Sequence, residues 1–212
     1  VWNSTEQIPE RAIDSGLVTD LGHIDDTVGG TSSRYSLSAR HIHDNGDSIT
    51  RFSAYSVYYD MDLWSNFTYF LEDPINGDQF EQTDRRLTHG LSASQTLNAR
   101  TLFDNEIKQT YGVDIRYDAI DQLGLHNTFE RERIGTTRQD QVDQLGAGAF
   151  YEVHVQWNPR LKTVAGLRGD FVHADVDSQL AANSGNTDDF MANPKLIAIY
   201  ALNESSELYA SG

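Results

Sequence analysis

The segment from Ala149 to Phe171 constrains the fold more than any other part of the chain. Ala149, Tyr151, Val153, Val155 and Trp157 alternate with Phe150, Glu152, His154 and Gln156, and the chain then turns at Asn158-Pro159-Arg160. It resumes with Leu161, Thr163, Ala165, Leu167, Gly169 and Phe171 alternating with Lys162, Val164, Gly166, Arg168 and Asp170. A period of two places the first set of each strand on one face and the second set on the other. The hairpin therefore has an apolar side and a side rich in charge. A soluble sandwich buries the apolar side, whereas an outer-membrane barrel turns it to lipid and keeps the charges in its lumen.

The connections separate these two architectures. Short turns at Asn45-Gly46, Asn98-Ala99-Arg100, Asn158-Pro159 and Asn203-Glu204 alternate with polar stretches over Leu71–Arg86, Asp121–Gln141 and Asp175–Ala192. Asn-Gly accepts the positive φ angles that a tight hairpin demands. Between these connections run strand patterns at Ser33–Arg40, Ser48–Tyr69, Leu87–Leu97, Tyr111–Asp118 and Pro194–Leu202. Short turns on one rim and long loops on the other describe an up-and-down barrel in the outer membrane, and a sandwich has no reason to sort its loops this way. The expected strand length is the roughly nine to eleven residues that a tilted membrane strand needs. No helix is required. The Ser48–Tyr69 strand is irregular around Asp60-Met61-Asp62, and its facing stays open at this level.

Composition excludes several other classes. The chain has 212 residues, no run of about 18 apolar ones, and hence no helical membrane span. A formal charge of -16 opposes nucleic-acid binding, which needs a cationic surface. The absence of Cys removes disulfides, thiolate metal sites and Cys nucleophiles. No Gly-x-Ser-x-Gly elbow or phosphate-binding Gly loop is present, and pairs such as Glu72-Asp73 are expected by chance among 32 acidic residues. No enzymatic activity and no cofactor is expected. His41 and His43 share a strand face but lack an evident third ligand, so no metal site is assigned to them.

Several segments point to a family. Ser65 to Arg86 (SNFTYFLEDPINGDQFEQTDRR), Trp157 to Arg168 (WNPRLKTVAGLR), Asn193-Pro194-Lys195-Leu196 and Glu207 to Ser211 (ELYAS) resemble stretches of TonB-dependent outer-membrane receptors. The resemblance covers roughly Ser33 to Gly212. It implies an all-β, antiparallel up-and-down transmembrane barrel, of which this chain supplies about eight or nine strands out of a total near 22. On this reading residues 1–32 form a long extracellular loop and 33–212 an internal piece of the barrel, with the plug domain absent. The resemblance further implies an active transporter in the outer membrane of a Gram-negative bacterium. It would take up a ferric siderophore or similar metal chelate or nutrient with energy from the TonB complex, reached through the plug. Outer-membrane lipid and lipopolysaccharide are the remaining expected partners. A passive porin-like channel and a soluble β-sandwich binding module are the alternatives.

Six residues in the expected outer loops are candidates for ligand contact. Arg85, Arg86, Arg131 and Arg133 offer guanidinium forks suited to an anionic chelate. Phe70 and Phe80 offer rings that could stack on a catechol. Solvated charges and loop anchors are the ordinary roles for the same side chains. In the lumen, Arg116 and Arg168 are expected to pair with neighbours such as Asp114 and Asp170.

Overall fold

The computed structural model describes residues 1–4, 8–102 and 105–212. Nine strands, β1 (Trp2–Asn3), β2 (Gly29–Asp44), β3 (Ser48–Ser65), β4 (Phe80–Leu102), β5 (Asn105–Phe129), β6 (Glu132–Asn158), β7 (Leu161–Ser178), β8 (Gly185–Asn203) and β9 (Ser206–Ser211), form one sheet among the described residues. They neighbour one another in chain order, and every pairing is antiparallel. The only other elements described are a five-residue helix, α1 (Glu10–Asp14), and one 3-10 turn, Ala181–Asn183. The sheet is the open portion of an up-and-down barrel.

Register assigns each face. Tyr151 lies opposite Tyr111 and Leu167, Ala149 opposite Val113 and Gly169, and Ala147 opposite Ile115 and Phe171. Following the same rows outward adds Leu91, Ala54 and Ala39 on one side and Pro194, Ala192 and Phe190 on the other, and Leu196 joins the same face opposite Ala165. The irregular β3 strand is thereby oriented, with Phe52, Ala54 and Tyr58 on the apolar face. This face is uncovered: Leu37 is 76% exposed, Leu167 58% and Leu196 61%. The buried hydrophobic residues described are just Ala12, Val28, Ile120 and Val164, so no second layer packs on the sheet. A sandwich module requires that layer, and its absence leaves the barrel.

The opposite face is polar and internally paired. Arg168 donates to Asp114 (2.8 Å) and Asp170, which also receives Asn193 (3.4 Å). Arg116 pairs with Asp118 at 2.7 Å, and Asp118 accepts from Thr88 at 2.6 Å. Arg116 is thus tied to the carboxylate two residues on, while Asp114 goes to Arg168. Glycine makes room for this layer. An ideal Cβ on Gly148 would lie 2.3 Å from the Arg168 guanidinium, and one on Gly90 2.1 Å from the Tyr55 ring.

The short turns share one device. Asn45 Oδ1 accepts from the Ser48 amide (2.8 Å), Asn158 Oδ1 from Arg160 and Leu161 (2.9 and 3.0 Å), and Asn203 Oδ1 from Ser205 (3.0 Å). Each Asn side chain replaces a backbone acceptor and closes the hairpin. Gly46 takes the positive φ (85°).

The seven strands β2 to β8 exceed the sequence expectation, running from 16 residues in β2 to 27 in β6. The stretches read as polar connections are largely strand. β4 already begins at Phe80, β5 and β6 meet at Glu130-Arg131, and β7 and β8 continue to Ser178 and from Gly185. β2 likewise starts at Gly29, four residues before Ser33. The turn expected at Asn98–Arg100 is strand too; a register shift between Leu97 and Arg100 is what breaks the pattern there. Above a membrane both sheet faces meet water, so the ladder continues without apolar alternation to announce it.

Candidate functional site

The rim opposite the short turns carries four connections: residues 4–28 from β1 to β2, 66–79 from β3 to β4, Glu130-Arg131 from β5 to β6, and 179–184 from β7 to β8. One buried side chain joins the first three. Gln79 donates through Nε2 to Asp25 Oδ2 (3.0 Å) and to Thr27 Oγ1, and accepts at Oε1 from Thr128 Oγ1 and the Arg131 amide, both at 2.9 Å. Every hydrogen-bonding position of the amide is used. Asn66 adds a bond to Asp25 (2.9 Å), and Arg131 Nε donates to the Thr27 carbonyl. The Arg131 guanidinium also lies 4.9 Å from the Trp64 ring centroid, within cation–π range.

This clasp explains an unfavourable backbone. Glu130 and Arg131 have φ of 49° and 70°, the left-handed region that suits Gly or Asn in a two-residue hairpin. Side chains other than these cost on the order of 1 kcal/mol each there. The bonds from Arg131 to Gln79 and Thr27 hold the turn in place. Burial pushes the Asp25 carboxyl up, but hydrogen bonds from Asn66, Thr27 and Gln79 outweigh it and keep its pKa below the usual value.

The 66–79 connection is ordered by its own carboxylates. Asp78 accepts from the amides of Leu71 (2.8 Å), Glu72 (3.1 Å) and Asp73 (2.7 Å). Asp73 accepts from Ile75 (2.9 Å) and Asn76 (3.0 Å). The Asn76 and Ile75 bonds lower the Asp73 pKa; for Asp78, desolvation raises it and the amide bonds more than compensate. Tyr69 (φ 61°) and Gly77 (φ 84°) make the bends.

The six sequence candidates fall into different surroundings. Arg85, Arg86 and Arg133 belong to strands rather than loops. Arg85 meets Asp60 at 3.2 Å, Arg86 meets Asp84 at 2.5 Å, and Arg133 is bound to buried Glu81. Arg131 sits in the clasp. Phe80 opens β4 with its ring 5.5 Å from that of Phe67, and Phe70 is exposed in the 66–79 connection. Asp25, Thr27, Gln79 and Thr128 escape a sequence reading altogether. Gln79 and Asp25 are 54 positions apart, and the family-like stretch that contains Gln79 gives no sign of its pairing with Asp25.

With this geometry in hand, comparison with known proteins is decisive. The family model "TonB dependent receptor-like, beta-barrel" matches residues 6–211. The chain belongs to the TonB-dependent receptor β-barrel family. Members of this family sit in bacterial outer membranes, so the uncovered apolar face is the lipid face and the paired polar face the lumen. Solved structures agree on the fold. The ferric citrate transporter FecA superposes with a TM-score of 0.66 at 9% identity, over 86% of this chain and 27% of that one. The copper transporter OprC gives 0.65 at 17% identity, over 88% and 32%. The ferric-catecholate import receptor Fiu of E. coli K12, in its open form, gives 0.62 at 13% identity, over 97% and 39%. The chain therefore spans about a third of the length of these structures. No curated protein sequence matches it.

Proposed function

We propose that the chain forms part of the barrel wall of an active importer in the outer membrane of a Gram-negative bacterium. The parent protein takes up a ferric siderophore or a similar metal chelate or nutrient, driven by the TonB complex. The observation that carries this reading is the match to the receptor barrel family over 6–211, on a sheet with one uncovered apolar face and one charge-paired face. A wall of this kind encloses a polar lumen, and the clasped outer rim presents a fixed surface to arriving cargo. The similar structures include transporters named for ferric citrate, copper and ferric-catecholate, which supports a metal-bearing cargo. Among the six sequence candidates, Phe70 and Phe80 with its partner Phe67 are best placed to touch it. The arginines act mainly on neighbouring carboxylates and on Trp64.

The full-length protein, expressed in a host deleted for its own receptors, tests this directly. Uptake of a radiolabelled metal chelate is expected to be concentrative and to stop when TonB is deleted or the proton gradient is dissipated. Free passage of small solutes in a vesicle-swelling assay, independent of TonB, would instead establish a passive channel.

A further inference from the structure

His126 is the largest of the fully buried side chains described, at 1% exposure. Register fixes its surroundings: Trp64, Glu81 and His126 form one row across β3, β4 and β5, and Asp62, Thr83 and Gly124 form the next row toward the membrane. The imidazole leans back over Gly124. A Cβ added there would lie 2.6 Å from His126 Nε2 and 2.5 Å from Thr83 Oγ1, so a glycine is what gives the ring its place. Nδ1 meets the Thr136 hydroxyl of β6 at 3.0 Å. Nε2 and Thr83 Oγ1 are both buried and have no hydrogen-bond partner among the described residues.

A neutral ring suits this enclosure. An imidazolium would add a buried charge and a second donor with no acceptor in place. Charged groups face the ring from each strand packed around it, and they do not supply a counter-ion. Arg133 of β6 is bound to Glu81 of β4, and Arg85 of β4 holds Asp60 of β3 at 3.2 Å. Asp62 of β3 lies across Thr83, and its own carboxyl is pushed up by burial and by Glu81 and Asp60. Burial and the positive Arg133 push the His126 pKa below its ordinary 6.5, with Glu81 acting the other way.

We propose that His126 is an acid-sensitive pin: neutral, it locks the outer ends of β4, β5 and β6 together, and on taking a proton it releases them. The pin goes beyond the importer reading and does not depend on it. What it frees is the β5–β6 hairpin, which carries the strained Glu130-Arg131 turn. The penalty is absent above pH 6.5 and grows as the pH falls toward the folded value. Proton uptake by Asp62 has the opposite sign and belongs nearer the carboxylate range.

The full-length receptor in lipid vesicles provides two tests. Deuterium exchange at the His126 ring Cε1, followed by mass spectrometry over a pH series, reads the titration midpoint of this residue without any substitution. That midpoint is expected below 6.5. Amide exchange, corrected for its intrinsic pH dependence, is then compared at about pH 7.5 and about pH 5.5. Residues 80–85, 124–128 and 133–137 are expected to exchange at least about threefold faster at the lower pH. Residues 8–28, tied through Asp25 to Gln79, are expected to stay unchanged. His126→Gln keeps a neutral polar side chain and is expected to abolish the acid response while leaving the heat-modifiable mobility of the folded barrel as it was. A midpoint at or above 6.5, a wild-type hairpin insensitive to acid, or an equal acid response in His126→Gln overturns the pin. If that variant does not fold, the two wild-type measurements decide the matter.

Discussion

Along β5, Tyr111, Val113, Ile115 and Tyr117 alternate with Gly112, Asp114, Arg116 and Asp118, and pairing with β6 runs without interruption from Glu106 to Ile120. Beyond Ile120 the same two strands continue with three register irregularities and no alternation. The membrane belt and the outer extension thus share a ladder but are stabilised differently. In the belt lipid selects one face, and a one-residue slip would turn Asp114 and Arg116 outward, so register is tightly fixed. In the extension water bathes both faces, and order comes from specific polar contacts: Gln79 at the clasp, Glu81 under Arg133, and Asp78 within its loop. Bulges cost little there, because no apolar set has to be kept in phase.

The largest expected contrast comes from placing one charge in each region. Leu167→Arg on the lipid face should destabilise the full-length barrel by about 2–4 kcal/mol if it lies near the midplane. Gln139→Arg, at an exposed position in the extension, should stay within about 0.5 kcal/mol. Reversible urea unfolding in lipid vesicles measures both, and equal effects would erase the distinction between the regions.

The next contrast is local. Gln79→Ala leaves the Asp25, Thr27 and Thr128 side chains and the Arg131 amide without their shared partner, at about 1–3 kcal/mol for each buried group left unpaired. Amide hydrogen exchange should speed up across residues 8–28 and 128–131 and stay unchanged at Val113 and Tyr151. Global acceleration would mean that the clasp supports the belt as well.

A smaller effect is expected in the lumen. Arg168→Met abandons Asp114 and Asp170, but these groups are a third to a half exposed, so a loss of about 1 kcal/mol is expected by the same urea measurement. The smallest effect is set by pH. The folded Asp25 pKa lies below its unfolded value of 3.8, so its contribution is fully present above that value and is lost as pH falls through the folded pKa. Amide hydrogen exchange within 8–28, corrected for its intrinsic pH dependence, should therefore lose protection only as pH falls below the ordinary carboxylate value. Protection unchanged from about pH 6 to about pH 2 would remove Asp25 from the clasp.

The same contrast explains what the sequence made legible. Alternation in Tyr111–Asp118 and Ala149–Phe171 was sufficient for the belt, its facing and the barrel class, because lipid and lumen impose opposite chemistry on successive residues. The Asn residues at positions 45, 158 and 203 marked the short turns through a local side-chain bond. Asn98 misled, since an Asn inside a register shift looks the same as one in a turn. The strands over 80–86, 121–129 and 132–141 were invisible because water on both sides removes the periodic signal. The clasp was hidden for a different reason. Its partners meet only after three hairpins have aligned, and a buried Gln such as Gln79 reads as an ordinary loop residue. Arg131 stands out in the sequence for its charge, yet its structural use is to hold a strained turn.

The central claim is that the apolar face meets hydrocarbon and the charged face a wet lumen. Because the chain has no Cys, single cysteines at Val113 and Asp114 in the full-length receptor can be spin-labelled without background from this region. Collision with molecular oxygen and with a water-soluble nickel chelate then reports each label's surroundings in a bilayer. The account predicts that the label at position 113 is relaxed by oxygen and shielded from nickel, and that position 114 shows the reverse ranking. The same ranking at both positions, or nickel favoured at 113, would contradict it.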